Sequence, residues 1–163
     1  MPGLRSDQCF QTVGPVDVGP VLAVLADLPF FGINYHLPEG SDPNRPACDV
    51  VLEAKFPPSL KAWVAGLGLG GKTGRVILRR LPAWQGIPPH VDDWMPGEVD
   101  WRRFQIPIVT HPDIRMRWPG DEADVHLEVG SIYEVRYDRL HEVVNPTPVR
   151  RVHMQLDQVG ATI

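Results

Sequence analysis

The sequence predicts a mainly antiparallel β protein, a sandwich or a jelly roll, with about two helices contributed by its N-terminal half. Three observations carry this expectation. Fifteen glycines and eighteen prolines in 163 residues punctuate the chain at short intervals, as tight turns between many short strands require. From Gly74 onward, seven short apolar or alternating segments follow one another with no helical period between them. Hydrophobic residues are 43% and charged residues 22% of the chain, so it can bury an ordinary globular core.

The elements follow in order. Asp17-Val18-Gly19-Pro20 offers a cap and a proline start for a helix through Val21, Leu22, Val24, Leu25 and Leu28, with Pro29 as its stop. A polar loop spans 39–46. Ser59 follows two prolines and precedes Leu60, Trp63, Val64 and Leu67, an apolar stripe at helical spacing that ends in glycines. The expected strands are Arg75–Leu81, Trp101–Thr110, Ile114–Trp118, Val125–Val129, Ile132–Val135, Glu142–Val144 and Val149–Asp157. Turns fall at Met95-Pro96-Gly97, Trp118-Pro119-Gly120 and Asn145-Pro146-Thr147-Pro148. The length suits a single domain over 1–163, with 1–73 a helical and loop lead-in and 74–157 a β core.

A net charge of −4 argues against a broadly basic nucleic-acid face. No apolar run reaches the roughly 18 residues of a membrane span. The first residues lack the basic-then-apolar pattern of a signal peptide. With only Cys9 and Cys48 there is no disulfide framework, so a reducing, cytoplasmic setting is expected.

Residues 66–73 match the pattern GxxxxGK[ST]. A phosphate-binding loop of that pattern runs from a strand into a helix, whose N-terminal amides meet the phosphates. Here the order is reversed. A helix-like segment precedes the glycines and a β-branched, arginine-rich stretch follows Lys72, so a connection between elements is expected rather than a nucleotide site.

The chemistry-bearing residues lie in the β-rich half. His90-Val91-Asp92 puts an imidazole and a carboxylate two apart, on one face of a strand. Asp93 has the wrong parity to join them. His141 opens a short strand 49 residues after Asp92, and Arg151 lies ten residues beyond it. Two histidines and one carboxylate on one face of an octahedron are the ligand set of non-haem Fe(II) oxygenases, leaving open positions for a 2-oxo acid and dioxygen. The far carboxylate of such a cosubstrate needs a cation, and an arginine supplies two parallel hydrogen bonds. Taken singly, each residue has a plainer explanation: a surface HxD, a core histidine, a solvated strand arginine. Their order in an all-β context favours the iron site.

Alternation supports this reading. Val152, Met154 and Leu156 share one side of their strand and Arg151, His153 and Gln155 the other. Phe104, Ile106 and Ile108 likewise oppose Arg103 and Gln105. If the apolar sides pack on helices or a second sheet, Arg151, Arg103 and Gln105 line the mouth of the fold. Arg79 or Arg80 offers a second cation to an anionic or amino-acid substrate. Trp84, Trp94 and Trp101 surround the HVD segment as a substrate lid or as aromatic support beneath a loop.

The stretch from His90 to Asp157 resembles the aspartyl/asparaginyl β-hydroxylase family of Fe(II)/2-oxoglutarate dioxygenases. The likeness rests on HVD, on RFQIPIVT (Arg103–Thr110), and on GSIYEVRYDRLHEVVN (Gly130–Asn145) leading into VRRVHMQLD (Val149–Asp157). It implies a double-stranded β-helix, a cupin-like jelly roll, with His90, Asp92 and His141 as iron ligands and Arg151 as the anchor of 2-oxoglutarate. It also implies that Arg103 contacts cosubstrate or substrate carboxylate. Gln105 falls near the cosubstrate, where some members carry histidine. Some animal members have glycine at the acidic ligand, whereas this chain keeps Asp92, as bacterial members do. The activity implied is hydroxylation of an amino-acid side chain, free or peptidyl, by dioxygen and 2-oxoglutarate, with succinate and carbon dioxide as co-products. The alternative is a cupin-like metal-binding module or a metalloenzyme that does not use dioxygen.

Overall fold

The computed structural model describes residue 5 and residues 8–33, 48–92 and 101–159. The expected loop at 39–46, Asp93, Trp94 and the turn at 95–97 lie outside the described residues. In chain order the elements are β1 (Phe10–Pro15), α1 (Gly19–Leu22), β2 (Phe31–Ile33), β3 (Cys48–Leu52), α2 (Pro58–Ala65), β4 (Lys72–Leu81) and β5 (Ile87–His90). They continue with β6 (Trp101–Val109), β7 (Arg115–Trp118), β8 (Ala123–Val125), β9 (Ser131–Val135), β10 (His141–Val144) and β11 (Arg151–Val159). These strands form a seven-stranded sheet, β1-β9-β6-β11-β4-β3-β2, and a four-stranded sheet, β5-β10-β7-β8. Every pairing is antiparallel. The architecture is the predicted jelly roll, a double-stranded β-helix.

Side-chain parity along the central strands decides what lies on each face. Val76 and Leu78 of β4, Phe104 and Ile106 of β6, and Val152, Met154 and Leu156 of β11 are all buried. They share a core with Val21, Phe56, Leu60 and Val64 from the helical segments. Burying each such side chain contributes about 1.5–3 kcal/mol. The helices therefore take the apolar face of the large sheet, and the odd-numbered residues of β11 turn toward the small sheet. Trp63 on α2 fixes the two helices together, its indole Nε1 donating to the Asp17 carbonyl at 2.9 Å.

Several expectations need correction. Residues 1–73 are not only a helical and loop lead-in: β1, β2 and β3 come from them and join the large sheet. These strands are short and show no clean two-residue alternation, β1 reading half-buried at four of six positions. The first helix stops at Leu22, and a tighter 3-10 turn over Leu25–Asp27 replaces its second half. So short a segment takes its shape from what it packs against rather than from its own propensity. β8 lies at Ala123–Val125 rather than Val125–Val129. The glycines of the GxxxxGK[ST] match do connect helix to strand. Gly68, Gly70 and Gly71 adopt φ of 63°, 71° and 69°, left-handed values that glycine adopts without strain, and β4 begins at Lys72. No helix N-terminus follows, so the amide cradle for phosphate is missing.

Candidate metal centre

The small sheet brings the histidines together. β5 and β10 are antiparallel neighbours, and in their register His90 stands opposite His141. The ring centroids are 4.3 Å apart at an interplanar angle of 52°. Gly86 permits this approach, because a Cβ there would lie 2.5 Å from the carbonyl oxygen of Val143 on β10. β5 ends at His90, so Asp92 sits just beyond the strand and not on it. Its amide donates to the Tyr137 carbonyl at 3.1 Å, which keeps the carboxylate turned inward.

One local device orients both rings. Nδ1 of His90 lies 2.8 Å from the Pro88 carbonyl oxygen, and Nδ1 of His141 lies 2.8 Å from that of Arg139. A carbonyl can only accept, so each Nδ1 carries the proton and each Nε2 presents its lone pair. Those Nε2 atoms approach the two Asp92 oxygens at 3.5 and 3.9 Å. One donor atom from each of His90, Asp92 and His141 lies within 4.8 Å of the others. Two imine nitrogens and a carboxylate around one point, with the tautomers already set by backbone carbonyls, fit a divalent transition metal.

The electrostatics agree. Burial pushes the His141 imidazole down to about 4, so it is neutral at physiological pH, as a ligand must be. Burial opposes the Asp92 charge, but the facing His90 imidazole and the nearby Arg103 guanidinium outweigh it and hold this carboxyl well below the usual range. Arg103 also donates through Nη1 to Asp92 Oδ2. Its other donors go to the fully buried Asp157, Nε at 2.7 Å and Nη2 at 3.2 Å, and its guanidinium lies 4.9 Å over the Tyr137 ring. Against the cost of burial, the charges of Asp157 and Asp92 raise the Arg103 pKa.

A pocket between the sheets is lined by all six residues the sequence singled out: His90, Asp92, Arg103, Gln105, His141 and Arg151. Arg151 is buried at its inner end, and burial together with the charge of Arg79 lowers its pKa to about 9, leaving it cationic at neutral pH. Its Nη2 lies 2.9 Å from Nδ1 of the buried His153. Arginine can only donate, so the His153 proton sits on Nε2, which has no partner among the described residues. Gln105 is also buried, its Oε1 3.3 Å from the same Nδ1.

The structure gives Asp157, Tyr137 and His153 places the sequence did not assign. Asp157 had a legible signal: it shares the face of Arg151 and His153 on β11, and a carboxylate on a buried polar face needs a cation. Tyr137, between strands, had none. Trp84 is exposed, and the Trp101 ring packs where a Cβ on Gly74 would come within 2.5 Å of it. Neither lies along the pocket wall.

No protein-family model matches the chain, and no curated protein matches its sequence. Solved structures do match it. The non-haem α-ketoglutarate-dependent epimerase SnoN from nogalamycin biosynthesis is 14% identical, with a TM-score of 0.67 over 96% of this chain and 80% of that one. A Pseudomonas putida prolyl-4-hydroxylase is 12% identical, with a TM-score of 0.63 over 92% and 91%. The viral collagen prolyl hydroxylase of Paramecium bursaria Chlorella virus-1, solved with 2OG, is 10% identical, with a TM-score of 0.56 over 93% and 97%. The likeness is one of fold. The chain shares the jelly roll of these oxygenases, and none of the three is of the aspartyl/asparaginyl type that the motifs suggested. No helix among the described residues is long and apolar enough to cross a membrane.

Proposed function

We propose that the chain is an Fe(II)/2-oxoglutarate-dependent dioxygenase that hydroxylates an amino-acid side chain, free or within a peptide, in the manner of the aspartyl/asparaginyl β-hydroxylases. The observation that carries the reading is the convergence of His90, Asp92 and His141, with both imidazole tautomers preset, on a pocket whose inner end holds the buried Arg151. A metal-binding module that did not take a 2-oxo acid would have no use for a desolvated arginine there, since burying a cation without a ligand carries a large penalty. The oxygenase fold of the neighbouring structures supports the same reading.

Bound Fe(II) would supply the activation of dioxygen that oxidises 2-oxoglutarate to succinate and carbon dioxide and delivers a hydroxyl group to the substrate carbon. This chain's residues supply position. His90, Asp92 and His141 hold the cation on one face. Arg103 keeps the Asp92 carboxylate ionised and aimed, and it lines the pocket where a substrate carboxylate would come. Arg151 pairs with the far carboxylate of the cosubstrate, and Gln105 forms the wall between the two ends. The apolar lining, including Ile87, Met116 and Val143, excludes water around the reacting atoms.

The experiment is succinate formation from 2-oxoglutarate with Fe(II) and ascorbate, coupled to a mass screen for a 16 Da gain across amino acids and peptides. His90→Ala and His141→Ala should abolish both signals while the circular dichroism stays unchanged. Succinate release at the wild-type rate in either variant would overturn the proposal.

A further inference from the structure

Two of the three candidate ligands hang on one turn. Residues 136–140 join β9 to β10 and belong to neither strand. Their Tyr137 carbonyl receives the Asp92 amide at 3.1 Å, and their Arg139 carbonyl lies 2.8 Å from His141 Nδ1. Whatever fixes this turn therefore fixes two ligands. The fully buried Trp118, at the end of β7, donates through its indole Nε1 to the Arg136 carbonyl at 2.8 Å. The Arg136 amide donates to the Cys9 carbonyl at 2.8 Å. Further along, Arg139 donates through Nη1 to Asp121, in the tight turn that follows β7.

Peptide planarity carries the restraint to the ligands. The Arg136 and Tyr137 carbonyls are consecutive, so only the two backbone dihedrals of Tyr137 lie between the group Trp118 holds and the group that holds Asp92. Tyr137 is itself tied down, its hydroxyl donating to the Trp101 carbonyl at 3.2 Å and its ring lying 4.9 Å from the Arg103 guanidinium. The two restraints differ in strength. The Trp118 bond is made by a buried indole, whose N–H would cost free energy if left without an acceptor. The Asp121 and Arg139 side chains are 30% and 27% exposed, so water and salt weaken their attraction.

We infer that Trp118 and the Asp121–Arg139 pair are positioning residues of the metal centre, acting through the 136–140 turn: Trp118 on Asp92, and the ion pair on His141. This rests on the reading of His90, Asp92 and His141 as metal ligands. A turn free to swing would let both donors wander in the metal-free protein, and binding would then have to order them at a cost in affinity. Phe10 supplies the contrast. Its ring stacks on Trp118, centroids 6.1 Å apart, so it supports the same apolar cluster while making no hydrogen bond to the turn.

The test is titration of the metal-free protein with Co(II), read by calorimetry and by the visible absorption of the bound ion, with urea unfolding measured beside it. Trp118→Phe keeps an aromatic ring and removes the N–H. It should weaken Co(II) roughly tenfold and shift the absorption bands. Asp121→Asn should weaken Co(II) by about two- to fivefold. Phe10→Leu should lower stability while keeping wild-type affinity and bands. Should Trp118→Phe not fold, Asp121→Asn is judged against Phe10→Leu by the same comparison. Wild-type affinity and bands in both Trp118→Phe and Asp121→Asn overturn the positioning role, as does an equal loss in Phe10→Leu, and either result leaves the metal centre standing. A wild-type protein that takes up no Co(II) overturns the centre, and this inference with it.

Discussion

The Arg103 guanidinium and the Asp157 carboxylate form a two-point ion pair, Nε to Oδ1 at 2.7 Å and Nη2 to Oδ2 at 3.2 Å, with neither side chain more than 4% exposed. Asp157 also receives Arg75, whose Nη2 lies 3.2 Å from Oδ2. Through Nη1 Arg103 also holds Asp92. The acidic member of the candidate metal triad is thus fixed by an arginine that is itself anchored on the neighbouring strand β11, a device that orients a ligand without touching the metal.

Asp157→Ala should therefore be costly twice. Leaving a buried arginine without its partner destabilises a fold by about 3–5 kcal/mol, readable by urea unfolding of the metal-free protein. The milder Asp157→Asn should reduce Fe(II) or Mn(II) affinity by about 10–100-fold, measured by calorimetry. Unchanged metal affinity in a variant that is measurably less stable would show that Arg103 does not orient Asp92.

The acid limb of stability should be steep. His141, at about 4, and His153, well below its free value, are both depressed by burial in the folded protein. The unfolded chain takes up these protons near pH 6.5 and the folded chain does not. Their stabilising contribution is therefore complete above about pH 6.5 and is lost as pH falls toward the folded values, by about 1.4 kcal/mol per pH unit for each histidine. Urea titrations of the metal-free protein between pH 7 and pH 5 should show this fall, and His153→Gln should shrink it. Equal pH slopes in the two proteins would contradict the assignment for His153.

Gly86→Ala should damage metal binding without touching a ligand. The added methyl would meet the Val143 carbonyl at 2.5 Å, well inside contact distance, and β5 would have to shift against β10. His90 then moves relative to His141. The expected result is a weaker metal complex together with a lower melting temperature. Wild-type affinity would mean that the β5–β10 register tolerates the displacement.

Lys72→Ala should leave succinate formation and thermal stability in magnesium-ATP as in wild type, because Lys72 opens a strand instead of a helix. A clear ATP-dependent stabilisation that this change removed would revive the nucleotide reading.

Much of the site was legible because its residues obey the two-residue period of strands. Arg103 and Gln105, and Arg151, His153 and Gln155, each share a face that parity picks out, and the apolar residues between them found the helices. The spacing of His90, Asp92, His141 and Arg151 carried the chemistry. What stayed hidden depended on pairing between distant segments. Nothing local tells that His90 stands opposite His141, that Asp157 has claimed Arg103, or that Arg79 rather than Arg80 faces inward. β1, β2 and β3 escaped for a related reason: short strands at the two flanks of the large sheet take their conformation from the neighbour they join, not from a pattern of their own.

The Pro88–Pro89 dipeptide in β5 has an effect beyond aiming His90. Among the described residues β5 borders the small sheet and pairs only with β10, so its outer side is a strand edge that could template a foreign strand. Prolines have no amide hydrogen to offer such a strand. An amide missing from that edge cannot pair with a foreign strand, so the dipeptide that supplies the carbonyl holding His90 also discourages edge-to-edge aggregation.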